Sequence, residues 1–346
     1  MGANEFSNAE THDTLEEIDP PSATTRLFGH VASTELLMRS AASGHHAIIL
    51  EGQEGIGKAS AAFVLAKLKL GAGGTIGDGI DQQSPAHRQV AQGAHPNLVH
   101  ATRQWSTQTK KWKTAITIDQ VRGLQTFFGL TASTDYPRIV IVDHLQDMNR
   151  NAANALLKLL EEPPVNSLFL LISQGAGSVL PTIRSRCQLV RFSPLSQVEV
   201  SQTIQHVAGS HFSPEQANEV ASLSGGSMRH GLVMGLFGGI DLLQAIDGML
   251  KAEQYDTVTA HRLAAIVADR KQLTQGLLIH DMLLSSLHSH AKHAAQNGFH
   301  ERAATLAKAA QDLVSLRKTD DAFNIDPKQS FLVASQNVYS AIHDTK

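Results

Sequence analysis

Short aliphatic runs alternate with helical stretches through the first half of the chain. Ala47–Leu50, Ile139–Asp143, Leu168–Ser173 and Leu189–Phe192 are almost continuously apolar, the pattern of strands covered on both faces. In the segment between the second and third runs, Ala152, Ala155, Leu156 and Leu159 share one face at helical spacing, and Pro163-Pro164 ends that helix because proline removes a donor and restricts its predecessor. Strands separated by helices predict a parallel sheet with flanking helices over 23–195. The pattern turns purely helical over 196–239, broken at Gly225-Gly226, and predicts a small helical lid. From 240 to 346 no strand pattern occurs: Leu277, Met282, Leu284 and Leu287 fall in one expected helix, and Ala303, Leu306, Ala310 and Leu313 in another, which predicts an all-α domain. Residues 1–22 are polar and acidic and end in Pro20-Pro21, so they are expected to form a flexible tail, and Gly71 to Gly93 reads as a loop with one short helix near Pro85–Val90.

A length of 346 residues suits two or three domains, and 42% hydrophobic residues can fill them, with aliphatic side chains dominant because aromatics are only 5%. The net charge of −3 excludes a molecule that is basic all over and grips nucleic acid by charge alone. A single cysteine, Cys187, excludes an internal disulfide and suits a reducing cytoplasm. No apolar run approaches the roughly 20 residues of a membrane span, and no secretory signal pattern opens the sequence, so a cytoplasmic location without membrane contact is expected.

Ala47–Leu50 runs into Glu51-Gly52-Gln53-Glu54-Gly55-Ile56-Gly57-Lys58-Ala59-Ser60 and then a helix-forming stretch. Glycine, four residues, Gly-Lys, set between strand and helix, is the phosphate-binding loop: Gly52, Gly55 and Gly57 let backbone N–H groups face a phosphate, the helix N-terminus adds positive potential, and Lys58 reaches the outer phosphates. The hydroxyl residue that should follow the lysine and hold Mg²⁺ is Ala59, and Ser60 lies about 100° further round the helix. Arg138–Asp143 is an apolar strand ending in a carboxylate, the second acidic motif of such nucleotidases, with Asp143 expected to hold Mg²⁺ through water. The next position, where hydrolysing enzymes carry a glutamate that activates water, is His144. With two parts altered, the fold of an ATPase is expected without a competent engine, binding ATP or ADP with Mg²⁺ weakly held.

The stretch Asn151-Ala152-Ala153-Asn154-Ala155-Leu156-Leu157-Lys158-Leu159-Leu160-Glu161-Glu162-Pro163-Pro164, followed by Pro181-Thr182-Ile183-Arg184-Ser185-Arg186-Cys187-Gln188, resembles the clamp-loader branch of AAA+ proteins, and within it the delta-prime subunits of bacterial DNA polymerase III. The resemblance extends over Leu27–His30, the phosphate loop, His95–Leu98 and Ile118–Leu124, and covers the helical remainder only in outline. It implies an α/β P-loop AAA+ domain, a helical lid and an all-α collar. It also implies membership of a loader with gamma/tau ATPase and delta subunits, acting on a sliding clamp and primed DNA, within a holoenzyme whose polymerase chemistry (class 2.7.7.7) belongs to the complex. By position, Ser185 and Arg186 match the family's Ser-Arg-Cys motif, whose arginine acts as a finger on ATP bound next door, and the permanent charge and planar fork of a guanidinium suit that task. Ser173 matches the sensor-1 position and Arg229 the sensor-2 arginine of the lid.

Many family members carry a four-cysteine zinc module before the segment matching His95-Pro96; the corresponding Gly71 to Ala94 has no cysteine, so no zinc is expected. His288, His290 and His293 are read as a solvated helix face and Cys187 as a small packed residue. Two other functions remain open: an active AAA+ motor, against which Ala59 and His144 speak, and a nucleotide-independent DNA-binding module built on Trp105 and Lys110-Lys111-Trp112-Lys113, which combine positive charge with stacking surfaces.

Overall fold

The computed structural model describes residues 14–15, 18–108, 111–129, 136–175, 177, 179–323 and 325–343; most of the tail expected over 1–22 lies outside them. The chain divides into two compact units, Met1–Gly231 and Leu232–Lys346.

In the first unit the elements run α1 (Val31–Ala42), β1 (Ala47–Glu51), α2 (Lys58–Lys69), β2 (Gly74–Thr75), β3 (Gly79–Ile80), α3 (Pro85–Ala91), β4 (Leu98–Ala101), β5 (Trp105–Ser106), β6 (Lys111–Trp112), α4 (Ile118–Gly129), β7 (Arg138–Asp143), α5 (Arg150–Glu161), β8 (Ser167–Ser173), α6 (Pro181–Arg184), β9 (Gln188–Arg191), α7 (Gln197–Ala208) and α8 (Pro214–Leu223), and α9 (Met228–Leu236) runs across the division. Five strands form one sheet in the order β4-β7-β8-β1-β9, every pair parallel. The side-chain period of two splits this sheet between two cores. Ile48, Leu50, Ile139, Ile141, Leu168, Leu170 and Ile172 pack with α1 and α2; Ala47, Ile49, Val140, Val142, Phe169 and Leu171 pack with α4 and α5. Both faces are dry, which is why the runs read as continuous rather than alternating.

Caps set the helix starts. Asn149 accepts from the Ala152 amide at 2.9 Å at the head of α5, and Ser196 with Glu199, then Ser213 with Gln216, form reciprocal capping boxes on α7 and α8. The four anticipated strands are present within one residue of their expected ends. The edge strand β4 was not anticipated, because its apolar run is only Leu98-Val99 before His100 interrupts it. The insert holds the expected helix, α3, and also the small hairpin β2–β3, closed by hydrogen bonds between Thr75 and Asp78.

The second unit is helical: α10 (Gly239–Lys251), α11 (Thr257–Ala268), α12 (Leu273–Gln296), α13 (His300–Phe323) and α14 (Pro327–His343). The face expected for α12 needs correction. Leu277 is 42% exposed, and the buried stripe is Leu278, Ile279, Met282, Leu283 and Leu287. Consecutive Leu277-Leu278-Ile279 and Leu283-Leu284 place apolar side chains around much of the circumference, so spacing alone leaves the helix rotation open and packing decides it. On α13, Leu306, Ala310 and Leu313 are buried as expected, while Ala303 is half-buried. Among the described residues no single helix is long and apolar enough to cross a membrane.

Candidate functional site

Parallel registry brings the carboxyl ends of three strands level: Glu51 of β1 lies opposite Ser173 of β8, and Asp143 of β7 opposite Ile172. Ligands of open parallel sheets bind at this edge, and the phosphate loop, Gly52 to Gly57, springs from it. Gly57 caps α2 at φ 101°, where a side chain would be strained. The Lys58 ammonium is buried and donates to the Gly52 carbonyl at 2.7 Å and to the Gln53 carbonyl at 2.5 Å. Burial pulls its pKa down to about 8, against the attraction of Asp143 and Glu54.

Four neighbours brace the loop. The His30 ring, kept neutral by a burial-lowered pKa, donates from Nε2 to the Ile56 carbonyl at 2.7 Å. The Gln174 amide donates to the Glu54 carboxylate at 2.9 Å. From the start of α9, the Ser227 hydroxyl donates to the Glu54 carbonyl at 3.0 Å and the Arg229 amide to the Gly55 carbonyl at 3.1 Å. A side chain at Gly55 would strike Ser227 and Arg229, so glycine here admits the close approach of the chain at the start of α9. The backbone of Arg229 thus stands against the loop.

Asp143 is buried and faces the α2 side of the sheet with Ile139 and Ile141. Its Oδ2 lies 3.6 Å from His100 Nε2 and its Oδ1 3.5 Å from His144 Nε2; the His100 ring packs edge-on against Phe63 of α2. His100 escaped the sequence reading because the strand carrying it did. The Ser60 hydroxyl accepts from Thr24 Oγ1 at 3.1 Å, turned towards the preceding segment. Mg²⁺ prefers a near-octahedral set of oxygens; a carboxylate flanked by two imidazoles, with alanine at 59, fits it poorly. Among the described residues no three His, Cys, Asp or Glu side chains converge as a metal site. Ser173 is fully buried, its hydroxyl paired with Gly175.

On the neighbouring edge, α6 delivers Ser185 and Arg186. Arg186 Nη2 pairs with Glu161 Oε1 at 2.8 Å, and Nη1 donates to the Thr182 carbonyl at 2.9 Å and to Ser185 Oγ at 3.2 Å. The two halves of the sequence motif therefore meet in space, Glu161 ending α5 and Arg186 following α6. Both side chains of that pair are exposed, 36% and 47%, and such a pair is worth only about 0–1 kcal/mol. Arg184 is held differently: its Nη1 lies 3.1 Å from Oε2 of Glu51, a carboxylate only 10% exposed, and Arg191 Nε lies 3.4 Å from the other oxygen. Breaking a pair with a buried member strands a charge and costs up to about 3–5 kcal/mol, less here because Arg184 keeps some solvent. Of the two arginines, Arg186 is the one free to change partner. Burial raises the Cys187 thiol to about 12 despite Arg186 beside it, so it is a poor nucleophile.

The remaining candidates stand apart. β5 and β6 pair as a hairpin with Trp105 and Trp112 edge to face at 5.5 Å; Lys113 donates to the Gln104 side chain at 3.1 Å, and Lys110 lies outside the described residues. His288, His290 and His293 are exposed on α12.

Residues 30–196 match the family described as DNA polymerase III, delta subunit. DNA polymerase III subunit delta' of Bacillus subtilis (strain 168) is 34% identical over 152 residues, 43% of this chain and 43% of the relative. The subunit of the same name from Pseudomonas aeruginosa PAO1 is 35% identical over 186 residues, 53% of each. DNA polymerase III subunit gamma of Buchnera aphidicola is 26% identical over 191 residues, 54% of this chain and 50% of the relative. The chain spans about half the length of the curated relatives it matches. The resemblance to delta-prime subunits read from Asn151–Pro164 and Pro181–Gln188 is borne out by these matches, and the α/β part has the parallel sheet with flanking helices expected of it.

Proposed function

We propose that this chain is a delta-prime-type subunit of the DNA polymerase III clamp loader, which supplies Arg186 to ATP held by a neighbouring subunit and hydrolyses little or none itself. The observation that carries this is the contrast at α6. Arg186 stands at an exposed edge on an ion pair weak enough to exchange for a phosphate, while the chain's own pocket lacks the hydroxyl at 59 and has His144 in place of a carboxylate base. A nucleotide entering the phosphate loop would meet Lys58 and the amides at the head of α2, but the donor set around Asp143 offers a divalent ion little. Gamma/tau ATPase subunits and delta are the expected partners, and loading a ring clamp onto primed DNA the expected task. The helical unit from Leu232 is suited to packing against sister subunits.

The chemistry assigned to this chain is electrostatic. A guanidinium placed against the γ-phosphate stabilises charge as the bond to the leaving oxygen breaks, and it needs no proton transfer because it stays charged throughout. The test is ATP turnover by the chain alone and by the complex reconstituted with its own partners. Negligible turnover alone, and a loss of turnover in the complex on Arg186→Ala, support the proposal; brisk Mg²⁺-dependent hydrolysis by the isolated chain defeats it in favour of the motor reading.

A further inference from the structure

We infer that Glu51 and Arg184 are positioning residues for Arg186, and that they tie the finger's platform to the chain's own phosphate loop. This rests on the proposal that Arg186 acts in trans. Glu51 is the last residue of β1 and immediately precedes Gly52, the first glycine of the loop. Its carboxylate is buried, and its two oxygens face Arg184 at 3.1 Å and Arg191 at 3.4 Å. Arg184 closes α6, a single turn of four residues, and Arg186 follows two positions later. So short a helix has little internal stability of its own. Beside the packing of Val179, Ile183 and Cys187 into the core, the Glu51–Arg184 pair fastens this turn to the sheet among the described residues. Two lines of force then meet at the finger: Glu161 from α5 orients the guanidinium, and Glu51 from β1 fixes the backbone that carries it. A displacement of the loop moves Glu51, and through Arg184 it moves the turn bearing Arg186.

The experiment uses the complex reconstituted with its partner subunits and reads steady-state ATPase over a range of ATP concentrations. Glu51→Gln and Arg184→Gln should each lower kcat several-fold with KM for ATP unchanged, because the neighbour's pocket is intact and only the incoming guanidinium is misplaced. Arg184→Lys, which keeps the charge and loses the fork, should recover part of the loss. The double variant Glu51→Gln/Arg186→Ala should be no slower than Arg186→Ala alone, since residues acting through one group are not additive. A further several-fold fall in the double variant, or wild-type kcat in Glu51→Gln while Arg186→Ala is slow, overturns the inference and leaves the finger proposal standing. If Arg186→Ala itself turns over normally, the finger proposal fails and this inference with it. Should Glu51→Gln not assemble, Arg184→Lys against Arg184→Lys/Arg186→Ala gives the same non-additivity comparison.

Discussion

Lys67 is fully buried near the end of α2, and its ammonium donates to the Thr24 carbonyl at 2.6 Å. That bond pins the irregular segment before α1, which ends in the His30 that braces the phosphate loop. Burial lowers the Lys67 pKa from the usual 10.5 to about 8, and at about 1.36 kcal/mol per pH unit this corresponds to roughly 3 kcal/mol of cost for keeping the charge inside at pH 7. Replacing Lys67 with Met keeps the stem and removes the charge; losing a hydrogen bond from a charged donor offsets roughly 1.5–3 kcal/mol of that gain, so the variant should be more stable by at most about 2 kcal/mol at pH 7.5. The pH dependence is the sharper part. Below pH 8 both folded and unfolded lysine are protonated and the cost is complete. Between 8 and 10.5 the folded state releases its proton first, so the unfolded state binds more protons and wild-type stability rises with pH. The variant lacks that rise, and its advantage should vanish and reverse by about pH 10. Both tryptophans lie in the first unit, so urea unfolding at pH 7.5, 9 and 10, followed by their fluorescence, reports on it directly. A variant destabilised at pH 7.5, or a difference that does not change with pH, would refute the reasoning.

His30 has a pKa lowered by burial, so wild-type stability should fall as pH drops below 6.5, where the unfolded state takes up the proton first; His30→Gln keeps a donor for Ile56 and should lose this decline, as urea midpoints at pH 7.5 and 5.5 will show. Gly226 sits at φ 81°, and a Cβ there would lie 2.6 Å from Pro194 Cβ and 2.7 Å from the Leu195 carbonyl oxygen. Gly226→Ala should therefore cost about 2–4 kcal/mol from left-handed backbone and overpacking combined, a drop of several degrees in thermal melting.

Much of the site was legible in the sequence because its parts are backbone devices. Glycines at fixed spacing between a β run and a helix former leave few alternatives, and the apolar run ending at Asp143 locates the carboxyl edge of the sheet. What could not be read were the side chains that reach across: Glu51, His30, His100 and Glu161 act through partners between 25 and 140 positions away, and no local spacing announces them. The signal available for Glu51 is its position: a carboxylate closing a buried apolar strand needs a partner. The rotation of α12 failed for the opposite reason, an excess of apolar positions where packing alone chooses.

The most direct measurement is a structure of the assembled complex with a non-hydrolysable ATP analogue bound to the subunit beside this one. The expected result is the Arg186 guanidinium released from Glu161 and about 3 Å from γ-phosphate oxygens of that neighbour. An Arg186 still paired with Glu161 or facing solvent, with the neighbouring triphosphate fully ligated without it, would contradict the proposed role.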